Sequence, residues 1–270
     1  MTTGTPAGVV RFFDDFGAGR LDRARWSVRI TGPVHNDEEQ AYIDDPSTVY
    51  VEPGDGTEDA GGRLVLHARY RPGYVDPDGR SFDFVSSRLD TRDTYRFRYG
   101  RVEARMRLPV GRGLWPAFWA LGTGSWPDTG EIDVMEQVGD PDWVSSAVHG
   151  PGYCGESGLV NHHYFDPGTD VTSWHVYTAD WGPDAIAFAV DGRLRYRVTR
   201  AMTDFVGSWA FDDEKFLVLN LAVGGTYPFK WNGIREPYRG VAAPTVEAIR
   251  DDRARVLVDW VRVTDGSAPQ

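Results

Sequence analysis

The sequence predicts an all-β fold of two stacked antiparallel sheets. Three observations carry this. The 270 residues are 13% aromatic and include 31 glycines and 17 prolines, a composition rich in turns and in core-filling rings. Apolar residues recur with period two in one run after another. Asp191-Gly192 separates two such runs, the signature of a two-residue hairpin turn.

Each element follows from its own pattern. In 101–110, Val102, Ala104, Met106 and Leu108 alternate with Arg101, Glu103, Arg105 and Arg107, which reads as a strand with one wet face. Residues 130–139, GEIDVMEQVG, read as a buried strand interrupted by acids. Residues 173–181, 215–225 and 253–263 are further strands, and 185–198 is the hairpin. One short helix is expected over 244–252, with Thr245 as its cap and Glu247 in its first turn. Gly and Asp clusters at 52–62 and 72–80 read as loops. No internal repeat, charge block or long linker breaks the chain, so one domain over 1–270 is expected.

Bulk properties exclude several functions. A formal net charge of −11 opposes binding to a phosphate backbone and suits a neutral substrate. Nucleic acid is therefore not an expected partner. No run of 18 apolar residues predicts a membrane helix, and the chain is expected to act as a monomer. The single cysteine, Cys154, excludes an intrachain disulfide and reads as an incidental thiol in a Gly-rich loop. The opening MTTGTPAGVV has no basic segment followed by an apolar core. An extracellular location is expected if a leader has been removed, and a cytoplasmic one otherwise.

Chemistry concentrates at Glu131, Asp133 and Glu136. Carboxylates in an apolar strand are costly unless paired or used. Glu131 and Asp133 share a face by alternation, but Glu136 would point away in a regular strand. One extra residue at Val134–Met135, a β-bulge, brings all three to one face. Two carboxyls so arranged suit a retaining glycosidase, in which one attacks the anomeric carbon and the other protonates the leaving oxygen. The bland alternatives are an acidic strand facing solvent and a metal site. A Ca²⁺ loop would want a Gly-bearing turn and more oxygen ligands. With His149 as the nearest histidine and no HExxH spacing, zinc is not expected either.

Trp115, Trp119 and Trp126 precede the acids closely. Indole rings stack on the C–H faces of sugar rings, and their N–H can bond a hydroxyl. For a single tryptophan, burial in the core is the ordinary reading; three beside an acid cluster favour a cleft.

At these residues the chain resembles glycoside hydrolase family 16, the laminarinase and lichenase group. WPDTGEIDVMEQVG is similar to the family's acid core in its bulged form. FFDDF at 12–16, NDEEQAY at 36–42, SSRLDT at 86–91, HGPGY at 149–153, WHVYTADW at 174–181, LNLAVGG at 219–225 and VDWVRV at 258–263 follow in the family's order. The resemblance covers nearly the whole chain. It implies a β-jelly-roll sandwich with an open concave cleft, and endo-hydrolysis of a β-linked glucan or galactan with retention. A laminarin-like β-1,3-glucan is the first expectation for the substrate.

By position, the resemblance implies Glu131 as nucleophile, Asp133 as helper acid and Glu136 as general acid/base. It implies Trp115, Trp119 and Trp126 as glycone-side tryptophans, and Asn36, Glu38 and Arg88 at the far end of the cleft. His149 reads either as a lining residue on the leaving-group side or as a structural histidine. His162 and His163 read as incidental, and His175 as a core residue. No cofactor is implied for the reaction.

The chain also departs from the family. Many members hold a structural Ca²⁺ with an acid just before the DDF-like segment. Phe13 stands at that position, which argues against calcium, although Asp259 remains. The segment 226–241 replaces a short turn and is expected to shape one end of the cleft. Rival readings are a lectin-like binder, a transglycosylase, and an intracellular enzyme acting on a small glycoside.

Overall fold

Period-two alternation pairs into strands along most of the chain. A computed structural model describes residues 8–31, 35–54 and 61–265. In chain order the strands begin with β1 (Val10–Asp14), β2 (Ser27–Val28), β3 (Gln40–Tyr42), β4 (Val49–Pro53), β5 (Gly62–His67) and β6 (Arg69–Val75). Next come β7 (Ser81–Ser86), β8 (Arg88–Asp90), β9 (Gly100–Arg107), β10 (Leu114–Gly122), β11 (Glu131–Glu136) and β12 (Trp143–His149). The last are β13 (Leu159–Tyr164), β14 (His175–Trp181), β15 (Ala185–Val190), β16 (Arg193–Thr199), β17 (Lys215–Val223) and β18 (Arg255–Thr264). Among the described residues three short α-helices interrupt them: α1 (Arg200–Val206), α2 (Thr226–Asn232) and α3 (Ala243–Arg250).

Two large antiparallel sheets form a sandwich, as the alternation predicts. One runs β16-β15-β14-β9-β18-β5-β4, with β1 also on β18; the other runs β13-β12-β11-β10-β17-β8-β2. A small sheet, β3-β7-β6, flanks them. The core lies between the large sheets. Val102, Ala104 and Met106 of β9 face Ile132 and Met135 of β11 and Leu217, Leu219 and Leu221 of β17, all essentially inaccessible to water. Asp191 and Gly192 both have positive φ, 51° and 72°, as the tight hairpin turn requires.

Several expectations need correction. The charged face of β9 is not simply wet: Glu103 is 5% exposed, because Arg101 and Arg262 fold over it at 2.9 and 2.7 Å. Salt-bridged guanidinium stems cover the sheet where solvent was expected. The helix over 244–252 exists, but its N-cap is Ala242, with Pro244 in the first turn. Thr245 lies inside it and donates its hydroxyl to the Arg112 carbonyl at 3.0 Å. The helices α1 and α2 carry no apolar periodicity long enough to announce them. Of the expected loops, Glu52, Pro53 and Gly62 belong to strands, as do 72–75; residues 55–60 lie outside the described residues.

The calcium question turns on Phe13 and Asp259. Phe13 offers no ligand, and Asp259 is already neutralised by Arg105 at 2.5 Å. These residues do not fit a calcium ion at that position.

Candidate active site

Strand β11 delivers its acids to the outer face of the second sheet through the expected bulge. Against β12, Asp133 pairs with Ala147 and Glu136 with Ser145, so Val134 and Met135 together stand opposite Ser146 alone. Against β10, Met135 pairs with Phe118 and Asp133 with Trp119, which leaves Val134 as the extra residue. The extra step turns Glu136 onto the face that already carries Glu131 and Asp133. Meanwhile Ile132, Val134 and Met135 stay in the core.

The start of β11 is pinned from below. Gly130 has φ +66°, and a Cβ there would come 2.4 Å from the Ala210 carbonyl oxygen. Lys215, fully buried, donates from Nζ to that same Ala210 carbonyl at 3.2 Å and to the Thr129 carbonyl at 2.7 Å. Burial lowers its pKa to about 8. One cation thus fastens the loop that carries Trp126 to the base of β17.

Each outer acid is held by one indole. Trp126 Nε1 donates to Glu131 at 2.8 Å, and Trp115 Nε1 donates to Glu136 at 2.9 Å. The middle acid has no such donor: Asp133 Oδ2 is buried without a hydrogen-bond partner among the described residues, with His149 Nε2 3.2 Å away. A Cβ on Gly158 would press within 2.4 Å of the His149 ring, so the loop after β12 closes over that histidine. Burial, with like charge alongside, pushes all three acids up. Glu131 rises to about 8 and Glu136 to about 7, each chiefly by desolvation, and Asp133 rises well above the usual carboxylate range. Three such carboxyls do not all ionise together near neutral pH, so the cluster retains protons there.

Two tryptophans therefore spend their N–H groups on acids, where direct bonding to sugar was one expected use. Trp119 spends its own on Asn220 Oδ1 at 2.8 Å. Only ring faces remain for stacking, and these are partly taken. Arg88 lies over Trp119 at 4.9 Å, and Tyr227 meets Trp115 at 5.4 Å and 77°.

Across β10, β17 and β8 the outer face continues as a polar network. Asn220 Nδ2 donates to Tyr42 OH at 3.2 Å. Tyr42 OH donates to Glu38 Oε2 at 3.3 Å, and Gln40 Nε2 donates to the same oxygen at 2.7 Å. Asn36 also hydrogen-bonds Glu38, whose pKa is raised by burial against the pull of Gln40 and Arg88. Asn36, Glu38, Arg88 and Trp119 are thus brought together on one side of the acids. Asn220, Tyr42 and Gln40 were missed from sequence. The one available signal was Asn220, an amide inside the apolar run KFLVLNLAV.

On the other side, β12 and β13 present Trp143, Ser145, Ala147, His149, Val160 and His162 to the same face, by alternation and register. His162 was read as incidental, yet Trp231 stacks on it at 5.2 Å and 22°. His163 turns the other way, onto Phe165. His175 is a core residue, bonded to Asp191 and the Asp170 carbonyl. Tyr227 and Trp231 both come from α2, so the segment 226–241 does border the cleft.

Among the described residues, one group has donors close enough for a cation: Glu131, Asp133 and His149, within 4.8 Å of one another. Sequence spacing did not reveal it, because His149 arrives opposite Glu131 by strand pairing. A metal there would occupy the carboxylate lone pairs that nucleophilic attack needs.

Comparison with known proteins agrees with this geometry. The model of Glycosyl hydrolases family 16 matches residues 48–229. A beta-glucanase of Rhodothermus marinus is 35% identical over 262 residues, covering 93% of this chain and 82% of that one. The X-ray structure of an endo-beta-1,3-glucanase from Pyrococcus furiosus superposes with a TM-score of 0.82 at 32% identity, covering 96% of this chain and 95% of the other. The laminarinase from Rhodothermus marinus superposes at 0.76 with 33% identity, covering 97% and 98%.

Proposed function

The chain belongs to glycosyl hydrolases family 16 and is a glycoside hydrolase of the β-jelly-roll type; from that premise we propose that it cleaves β-1,3-glucan internally, with retention, through Glu131 and Glu136. The observation that carries the reading is the bulge, which sets three carboxyls on one open face beside an aromatic cleft. A binder has no need to hold two desolvated acids on indole N–H groups.

In the first step Glu131 attacks the anomeric carbon and Glu136 gives its proton to the leaving oxygen. Burial keeps Glu136 protonated close to neutrality, which suits an acid. Glu131 carries the higher value, the opposite of what a nucleophile needs. Asp133 resolves this: a proton shared between the two carboxyls leaves Glu131 anionic whenever it sits on Asp133. Trp126 then holds Glu131 in register, with His149 packed beside Asp133. In the second step Glu136, now a base, takes a proton from water as it attacks the glycosyl-enzyme ester. The double displacement uses carboxylates alone and requires no cofactor.

Asn36, Glu38, Arg88 and Trp119 would bind sugars on the glycone side, with Trp115 and Trp126 flanking the cleaved bond. A polymeric substrate of this kind implies action outside the cell.

The test is turnover of laminarin, lichenan and an agarose or porphyran panel, with Glu131→Gln as blank. Laminarin oligosaccharides that disappear in the variant support the reading. Near-full turnover by Glu131→Gln would sink the assignment. Activity confined to another polymer would keep the mechanism and change the substrate.

A further inference from the structure

The leaving-group half of the cleft carries a feature that catalysis does not use. Helix α2 lies along one lip. Tyr227 OH is 3.4 Å from Ser145 Oγ, and Trp231 packs on Trp143 at 4.5 Å and on His162 at 5.2 Å, its Nε1 donating to Asp140 at 2.8 Å. These contacts fall at the Trp143 and Ser145 end of β12. The opposite lip is the loop after His149, which ends in a 3₁₀ turn at Gly155–Ser157. Four steps along the strand, roughly 13 Å, separate Ser145 from His149. Yet Lys230 of α2 reaches Glu156 of that turn, Nζ to Oε1, at 2.5 Å. The ion pair therefore links the two lips across the stretch of β12 and β13 that carries Ala147 and Val160, the side on which the functional reading above places the leaving chain.

We infer that Lys230 and Glu156 are specificity-determining residues, whose ion pair straps the leaving-group half of the cleft against long aglycones; the inference rests on the glucanase reading above. A short leaving group ends before the strap. A polymer continues beyond it and enters from the side only when the pair is broken. Both side chains are well exposed, at 44% and 81%, so opening requires only rotation of their tips into water. Helix α2 stays in place meanwhile, anchored by Tyr227 and Trp231.

The test compares Lys230→Ala and Glu156→Ala with the parent on two substrates: whichever panel polymer the parent cleaves, and a short oligosaccharide of the same linkage. The expected result is a rise of about two- to five-fold in the polymer-to-oligosaccharide ratio of kcat/KM, the range an exposed ion pair supports. Addition of 0.5 M NaCl, roughly enough to bring the screening length below 5 Å, should raise the ratio in the parent and leave it unchanged in Lys230→Ala. Glu247→Ala, which breaks the remote surface pair Arg250–Glu247, controls for a general loss of charge. An unchanged ratio in both strap variants, with an active parent, overturns the strap alone. A parent inactive on every polymer overturns the functional reading on which the strap rests.

Discussion

The two halves of the cleft are built on opposite plans. On the glycone half, Trp119, Asn220, Tyr42, Glu38 and Gln40 form one hydrogen-bonded chain across β10, β17 and β3, with Arg88 stacked on the indole. Every member but Glu38 sits on a strand, and Asn220 and Gln40 are nearly inaccessible. On the leaving-group half, the working surface is a short helix laid against β12 and β13 by ring contacts and closed by one exposed ion pair. The difference teaches where precision is needed. The sugar that distorts toward the transition state must be held by groups that do not reorganise. The departing part must be able to leave.

Substitutions on either side can break this contrast. The largest effect is expected between the halves: Glu136→Gln should lower kcat on polymer by about 10²–10⁴-fold. An aryl glycoside with a good leaving group should lose far less, because it needs no proton. Equal loss on both substrates, measured by steady-state kinetics, would remove Glu136 from the acid role.

On the glycone half, Asn220→Ala strands the Trp119 N–H and leaves the Tyr42 hydroxyl bonded to Glu38 alone. An unpaired buried polar group costs about 1–3 kcal/mol. We expect kcat/KM to fall roughly 5- to 150-fold, alike for polymer and oligosaccharide. A loss confined to polymer would contradict a preorganised glycone site. On the leaving-group half, Trp231→Ala should lower polymer kcat/KM only several-fold, about the worth of one stacking contact. It should also shift the product lengths, read by chromatography. A loss as large as that of Asn220→Ala would erase the comparison.

The acids between the halves also bear on stability. Their pKa values are raised on folding, Glu131 to about 8 and Glu136 to about 7 from an ordinary 4.5. The native state therefore holds more protons than the unfolded chain between about pH 4.5 and 8, and stability falls as pH rises through that window. Glu131→Gln removes one such group. Its Tm advantage over the parent should grow from pH 5 to pH 8, the smallest of these effects and readable by calorimetry. A constant difference would mean that Glu131 is not proton-linked to folding.

How much of this was legible in the chain depended on range. The bulge could be read from three acids whose spacing fits no regular strand, because Glu131, Asp133 and Glu136 lie within six residues. The sandwich could be read from alternation, which is equally local. The network of Asn220 with Tyr42 and Gln40 was not, since its partners are about 180 residues apart and meet only once β17 and β3 converge. The role of the Trp115 N–H escaped for the same reason, since it lies 21 residues from the acid it holds; Trp126 lies only 5 from Glu131, but a turn rather than a regular strand sets that bond. Helix α2 was hidden because its seven residues are too few for a periodic signal, even though its two aromatic anchors, Tyr227 and Trp231, share a face at i and i+4.

The bulge has a consequence for chain length. Val134 is the residue that the register against β10 does not need, since Asp133 and Met135 are successive partners of Trp119 and Phe118. Deleting it would leave an acid, an apolar residue, an acid, an apolar residue and an acid in strict alternation. All three carboxyls would still face outward, now by the ordinary pleat of a strand. A one-residue deletion in the middle of the catalytic strand, normally ruinous because it inverts every side chain beyond it, would here invert none of the acids. The strand has two lengths at which it can present the same chemistry, and the present chain uses the longer.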